Sequence, residues 1–141
     1  MTLRRLTAVL ALIGIAIAGY LTWVHYAGLE PVCVGGGGGC ERVQSSRWAE
    51  LAGIPVAVLG LGGYIVILGS LLLPEEPGAL VAAFVALVGF GFSCWLTYVE
   101  IAKIDAICQW CVASAVIMTA LALVGVARVL RGAPPHAAPA A

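Results

Sequence analysis

The stretch DAICQWC at residues 105–111 leads directly into a long apolar run that ends at Leu130. Cys108 and Cys111 within it form a C-x-x-C pair, and two cysteines three residues apart lie on one face of a helix. Such a pair can open and close a disulfide. Because this pair lies where a polar turn meets an apolar helix, it predicts redox chemistry at a membrane surface.

The composition is that of a membrane protein. Of 141 residues, 62% are hydrophobic and 10% are charged, which is too little polar surface to cover a soluble globule of this size. Seven basic and seven acidic residues cancel. No basic stripe follows the chain that would contact a phosphate backbone, so the sequence argues against nucleic acid as a partner.

Four apolar runs are long enough to cross a bilayer, whose hydrocarbon core of about 30 Å requires roughly 20 helical residues. They predict an all-α membrane protein, a four-helix transmembrane bundle with spans at 6–26, 54–73, 79–101 and 107–130. We assign residues 1–130 to one domain and 131–141, rich in Pro and Ala, to a disordered tail. A signal peptide cleaved after Ala18 is the alternative for the first run, but that run continues to Trp23 and Tyr26.

Residues 27–53 form a long polar segment. Cys33 and Cys40 lie on either side of five consecutive glycines, and glycine leaves the backbone free to bring the two thiols together or let them part. Residues 41–52 favour a helix, with Trp48 as a membrane anchor. We expect a short interfacial helix in this first extracytoplasmic loop.

An even number of spans places both termini on one side of the membrane and the four peripheral cysteines on the other. Arg4, Arg5, Arg128 and Arg131 flank the termini, against three basic residues on the opposite face, and an excess of Arg and Lys marks the cytoplasmic side. Disulfides persist on the oxidising side of a bacterial inner membrane. We therefore expect an inner-membrane protein with cytoplasmic termini and periplasmic cysteines.

Four cysteines on one face allow three interpretations. Thiol exchange between the pairs would form an electron relay, with Asp105 as N-cap of the last helix and Cys108 in its first turn, where the thiolate is favoured. Structural disulfides and a zinc site are the alternatives, and they suit a membrane scaffold or a metal-binding protein. Zinc sites use closer pairs than Cys33 and Cys40, so we assign no metal. Glu100, at the end of the third span, either relays protons or marks the membrane interface.

The chain resembles the bacterial branch of the vitamin K epoxide reductase family in the order of its motifs. These are a loop cysteine pair, the stretch CERVQSSRW at 40–48, Gly53-Ile54-Pro55, and the C-x-x-C that opens the last helix. The resemblance covers roughly residues 6–130. It implies a four-helix bundle around a quinone, ubiquinone or menaquinone, with the interfacial helix capping the pocket.

The resemblance also implies roles for individual residues. Cys111 would lie nearest the quinone ring, with Cys108 as its partner. Cys40 would exchange with Cys108, and Cys33 with an external thiol. Ser46 matches a loop Ser or Thr that the family needs for activity, which places it near the quinone or the thiolate.

Two departures from the family pattern bear on substrate and partner. The vertebrate enzymes hold vitamin K with an Asn and with a Tyr four residues after the second C-x-x-C cysteine; this chain has no Asn, and Ala115 occupies the other position. A respiratory quinone is therefore the expected acceptor. Many bacterial relatives carry a fused thioredoxin-like domain that this sequence lacks, so the expected donor is a separate periplasmic thioredoxin-fold (DsbA-like) protein. The resemblance thus predicts a quinone-dependent thiol-disulfide oxidoreductase that supports disulfide bond formation.

Overall fold

Helices make up nearly all of the structure. The computed structural model describes residues 2–29, 47, 50–51, 53–104 and 108–132. Within them the α-helices are α1 (Leu3–Ala27), α2 (Val56–Gly69), α3 (Glu75–Val99) and α4 (Gln109–Gly132). Shorter turns extend two of these helices, a 3₁₀ turn after α2 (Ser70–Leu72) and a π-helical turn after α3 (Glu100–Ile104). The predicted all-α class is confirmed, whereas the predicted tail from residue 133 onward lies outside the described residues.

Three helical segments are long and apolar enough to cross a membrane by length and composition: Leu3–Ala27, Glu75–Ile104 and Gln109–Gly132. The segment Val56–Leu72 is apolar but shorter, with 17 residues, or about 25 Å at a rise of 1.5 Å per residue. It coincides with the predicted second span. The chain is thus a multi-pass helical membrane protein, and the count of four spans stays a prediction.

The third helix begins earlier than the predicted span, because its polar start belongs to the helix. Glu75 is its first residue, and the Gly78 N–H donates to the Pro74 carbonyl at 2.9 Å. Acidic side chains are stabilising near a helix N-terminus, where they face unpaired N–H groups. Pro77 lacks an N–H, but in the first turn that group has no intrahelical partner to lose.

A small hairpin precedes α2. Its strands are β1 (Glu50–Leu51) and β2 (Ile54–Pro55), which pair antiparallel. Gly53 turns the chain between them with φ of 83°, a left-handed conformation that glycine adopts readily because it has no Cβ. The predicted interfacial helix is therefore wrong for residues 50–51, which pair with the extended segment that leads into α2. Apart from Arg47, the remainder of 41–52 lies outside the described residues.

Small residues allow the helices to approach closely. A Cβ on Gly14 of α1 would overlap the Tyr64 ring of α2, and one on Gly125 of α4 would lie 2.9 Å from the Ala83 Cα in α3. Helices in a bilayer associate through such close packing, since lipid removes the hydrophobic drive between them. α1 packs on α2 and α4, and α3 packs extensively on α4 but less on α2. The loosest seam of the bundle lies between α2 and α3.

Ion pairs join the helices at the end of the bundle where α1 begins. Arg128 Nε and Nη2 each lie 2.9 Å from Glu75 Oε1, and the Arg128 side chain is only 2% exposed. Arg4 Nη1 lies 3.7 Å from Glu75 Oε2, and Arg4 Nη2 also donates to the Leu71 carbonyl. These contacts join the first, third and fourth helices at the end opposite the C-x-x-C.

Candidate active site

Cys108 lies immediately before α4 and Cys111 in its first turn. The Cys111 N–H donates to Cys108 Sγ at 3.4 Å, and the Val112 N–H donates to the Cys108 carbonyl at 3.0 Å. Cys108 Sγ therefore accepts from one of the N–H groups that a helix start leaves unpaired, and the Cys108 carbonyl accepts the first intrahelical bond. The prediction that Cys108 lies in the first turn of the last helix is wrong by one position, because α4 begins at Gln109. Asp105, the predicted N-cap, lies outside the described residues.

The two cysteines have different surroundings. Cys108 is 0% exposed and packs against Ile104, Trp110 and Cys111. Cys111 is partly exposed and forms part of a cavity wall. The Trp110 ring, between the cysteines in sequence, lies 5.0 Å from the Tyr20 ring of α1. This contact fastens the start of α4 to α1 and holds the pair at the end of the bundle.

Glu100 connects the end of α3 to the cysteine pair. It opens the π-helical turn, is only 4% exposed, and its Oε2 accepts a hydrogen bond from the Cys108 N–H at 3.2 Å. The carboxylate thus accepts a hydrogen bond from a backbone N–H that has no partner within α4. Single π-helical turns occur frequently at functional sites. A buried carboxylate beside the cysteines does not fit the interpretation of Glu100 as an interface marker.

A cavity of about 370 Å³ lies between the four helices beside Cys111. Small-molecule sites in proteins have volumes of roughly 300–1,000 Å³ and apolar walls with a few polar groups. The wall here is mainly apolar, and Ala115 is part of it. Its polar side chains are Ser93, Thr97, Glu100, Cys111 and Ser114. In size and chemistry the cavity suits a small, largely apolar ligand with a few hydrogen-bonding atoms.

The cavity opens sideways, between α2 and α3. Among its lining residues the exposed ones are Leu59 of α2 and Val88 of α3, at 40% and 58%. This opening coincides with the loosest seam of the bundle, and the surrounding outer surface is apolar. In a membrane-spanning bundle such a mouth faces hydrocarbon, so a ligand would enter from the lipid.

A buried hydrogen-bonded pair supports the cavity wall from behind. The Tyr64 hydroxyl donates to the Ser114 carbonyl at 2.9 Å and lies 2.7 Å from Ser114 Oγ. Tyr64 is 0% exposed. Sequence reasoning missed this pair, although two signals were present. A tyrosine within an apolar run needs a partner for its hydroxyl, and Ser114 follows Cys111 by three residues, on the same helix face.

The structure brings together some of the predicted site residues. Cys108, Cys111 and Ala115 meet at the cavity, with Cys108 directly behind the wall. The other predicted site residues lie outside the described residues; they are Cys33, Cys40 and Ser46. The exchange between the two cysteine pairs therefore stays a prediction.

A bundle of apolar helices around a lipid-facing cavity, with a C-x-x-C cysteine in its wall, defines a membrane-embedded thiol protein. The sequence model of the vitamin K epoxide reductase family matches residues 5–126, which is most of the chain. The protein therefore belongs to this family, as the order of its motifs indicated. Membership implies a membrane oxidoreductase.

Proposed function

We propose that the protein is a quinone-dependent thiol-disulfide oxidoreductase that supports disulfide bond formation. The observation that carries the proposal is the position of Cys111, in the wall of an apolar cavity that opens between α2 and α3. A thiol at this place can react with a lipid-soluble oxidant that never leaves the membrane.

A respiratory quinone, ubiquinone or menaquinone, suits the cavity as substrate. Its ring is flat and apolar, and its two carbonyl oxygens can accept hydrogen bonds from hydroxyl groups in the cavity wall. Ala115 has a side chain too small to contact a ring strongly, and it leaves room beside Cys111. Ser46 is proposed to bind the quinone or the thiolate from the loop.

Electrons would pass through two cysteine pairs in sequence. A periplasmic thioredoxin-fold protein would reduce the pair Cys33 and Cys40, and Cys40 would attack the disulfide at Cys108 by thiol exchange. The reduced pair Cys108 and Cys111 would then give two electrons to the quinone and close its disulfide again. An oxidising thioredoxin-fold donor has a reduction potential of about −120 mV. Each 30 mV by which the acceptor's potential lies below the donor's costs about 1.4 kcal/mol for the transfer of two electrons. The acceptor must therefore be more oxidising than that donor, a condition that suits a quinone better than a glutathione pool.

The proposed topology has four spans in the inner membrane, with cytoplasmic termini and periplasmic cysteines. Arg4 and Arg128 lie at the same end of the bundle, where they would face the cytoplasm. The C-x-x-C lies at the other end, which would face the periplasm. This placement agrees with the rule that positive residues stay on the cytoplasmic side and with the oxidising chemistry of the periplasm.

The test is quinone reduction by purified protein in mild detergent. Dithiothreitol serves as the dithiol, and a short-chain ubiquinone or menadione as the acceptor, with reduction followed by absorbance. We expect Cys108→Ala and Cys111→Ala to abolish turnover. Cys94→Ala is the matched control, because Cys94 is an exposed, free cysteine of α3. Undiminished turnover in both C-x-x-C variants would disprove the proposal.

The rival function is a membrane scaffold or metal-binding protein with structural cysteines. Trapping separates it from a relay. If Cys40 and Cys108 exchange, the Cys108 thiolate of a Cys111→Ala variant should attack the Cys33–Cys40 disulfide and release Cys33 as a thiol. The resulting Cys40–Cys108 disulfide should accumulate, because Cys111 is no longer present to displace Cys40. Mass spectrometry of the non-reduced variant detects that link. A fully thiol state that binds zinc instead would favour the rival.

A further inference from the structure

Moving two electrons from a dithiol to a quinone also moves two protons. The thiols of Cys108 and Cys111 release these protons as their disulfide forms, and the two quinone oxygens take them up. Inside an apolar cavity an isolated charge is strongly disfavoured, so protons must move in step with electrons. A group that accepts and releases protons is therefore needed beside the sulfur atoms.

Glu100 contributes the one carboxyl group to the cavity wall, within the part of the chain that the structure describes. The described wall residues of α1 and α2 are all apolar. The titratable groups nearest to Glu100 at the start of α4 are the thiol of Cys111, in the same cavity wall, and that of Cys108, whose N–H donates to the carboxyl. Lys103, on the same π-helical turn, is exposed, and the Tyr64 hydroxyl is bonded to Ser114 behind the wall.

Contacts connect this carboxyl to both cysteines. The Cys108 N–H donates to Glu100 Oε2 at 3.2 Å, and Cys108 Sγ in turn accepts from the Cys111 N–H at 3.4 Å. Glu100 is also buried, with 4% of its surface exposed. It therefore lies against the backbone of Cys108 and shares with Cys111 the wall of the cavity that would hold the acceptor.

A role in capping α4 does not by itself explain a carboxylate. Uncharged side chains with an oxygen atom, such as Ser or Asn, cap helices as well as Asp does. No ion pair joins Glu100 to a basic side chain among the described residues. A buried carboxyl that has no cationic partner in the described part of the chain, placed in a cavity beside a redox pair, has the arrangement expected of a proton-transfer group.

We propose that Glu100 carries protons from the C-x-x-C thiols to the quinone, an inference that rests on the proposed function. The S–H bonds of Cys108 and Cys111 break, one S–S bond forms, and two electrons pass from sulfur to quinone. Glu100, as a neutral carboxyl, gives its proton to a quinone oxygen and takes a replacement from a thiol, once for each of the two protons. One O–H bond forms on each of the quinone oxygens, and the carboxyl returns to its starting state.

The key variant is Glu100→Gln, which keeps the size of the side chain and an oxygen acceptor for the Cys108 N–H but cannot exchange a proton. Two half-reactions are measured separately. One is the single-turnover reduction of a short-chain ubiquinone by pre-reduced protein. The other is reduction of the oxidised protein by dithiothreitol without quinone. Glu76→Gln is the control, since Glu76 is exposed at the opposite end of the bundle.

We expect Glu100→Gln to slow quinone reduction by about 100-fold or more, as general acid-base catalysis contributes about 10²–10⁴-fold, and to leave the dithiothreitol step close to wild type. Glu100→Asp should retain part of the rate, and formate should restore part of it to Glu100→Ala. If Glu100→Gln slowed both half-reactions equally, or reduced quinone at the wild-type rate, the role of Glu100 would be disproved and the proposed function would stand. A wild-type protein that reduces no quinone would instead overturn the proposed function.

Discussion

Replacing Tyr64 by Phe removes one oxygen atom and, with it, both hydrogen bonds that join α2 to Ser114 of α4. The bonds are 2.9 Å to the Ser114 carbonyl and 2.7 Å to its hydroxyl. The ring itself stays in place against Gly14. The substitution therefore tests the contribution of the polar pair separately from the packing around it.

The expected magnitude follows from the number of bonds lost. An intramolecular hydrogen bond contributes about 0.5–1.5 kcal/mol to stability, and those between membrane helices average about 0.6 kcal/mol. Tyr64→Phe should thus lower the free energy of unfolding by about 1–2 kcal/mol. Ser114→Ala removes the hydroxyl but keeps the carbonyl, so it should cost about 0.5–1 kcal/mol. Because the two residues share one bond, the double variant should be little worse than Tyr64→Phe alone.

The assay is a double-mutant cycle in mild detergent, with the free energy of unfolding obtained from denaturant titrations followed by circular dichroism. We expect a coupling energy of about 0.6–1 kcal/mol. Tyr98→Phe is the control, because Tyr98 is 51% exposed on α3, and it should change stability by less than about 0.5 kcal/mol. Single-variant effects that add to within about 0.3 kcal/mol would refute the reasoning.

Three further substitutions test the cavity, the ion pairs and the packing. Ala115→Trp should fill part of the cavity and slow quinone reduction about tenfold or more, whereas Val116→Trp, at a position 63% exposed, should stay near wild type. Glu75→Gln should lower the free energy of unfolding by about 1–3 kcal/mol, because the buried Arg128 guanidinium loses its charged acceptor. Gly14→Ala should lower it by about 1–3 kcal/mol, because the added methyl group overlaps a buried ring.

Controls for the two stability variants come from the chain itself. Glu76→Gln alters the neighbouring, exposed acidic residue and should change stability by less than about 0.5 kcal/mol. A Cβ on Gly19 would meet nothing within 4 Å, so Gly19→Ala should be neutral or stabilising. If both variants of a matched pair lost the same free energy of unfolding, the contacts described for that pair would be contradicted. If the two Trp variants reduced quinone at equal rates, the quinone would not bind in this cavity.

Apolar length is a local property of a sequence, which is why hydropathy predicted the helices. The residues at which the helices begin and end depended on side-chain and backbone contacts that hydropathy does not describe. Glu75 and Glu76 suggested a polar turn, although acidic residues also stabilise the first turn of a helix. Glu50 and Leu51 have neighbours that favour a helix, yet the extended segment at Pro55 provides a strand partner for them. In both places a local pattern allowed two structures, and contacts with later residues selected one.

The C-x-x-C was the part of the site that a local pattern could identify, because its chemistry lies in two residues of one turn. Glu100 was harder to assign. The π-helical turn that carries it breaks the regular spacing on which face assignments depend, so its position beside Cys108 did not follow from periodicity. Tyr64 and Ser114 are 50 residues apart, and their contact depends on how α2 packs on α4. Spacing within one helix contains no information about that packing.

The different surroundings of Cys108 and Cys111 would give the proposed relay its direction. Cys111 is partly exposed and lies in the cavity wall, while Cys108 is 0% exposed. In the proposed relay, exchange at Cys108 would therefore require the groups that cover it to move. The π-helical turn contacts Cys108 through Glu100, whereas ion pairs of Glu75 with Arg4 and with the buried Arg128 close the opposite end. We expect such movement at the end that carries Cys108, while the ion pairs keep the other end of the bundle closed.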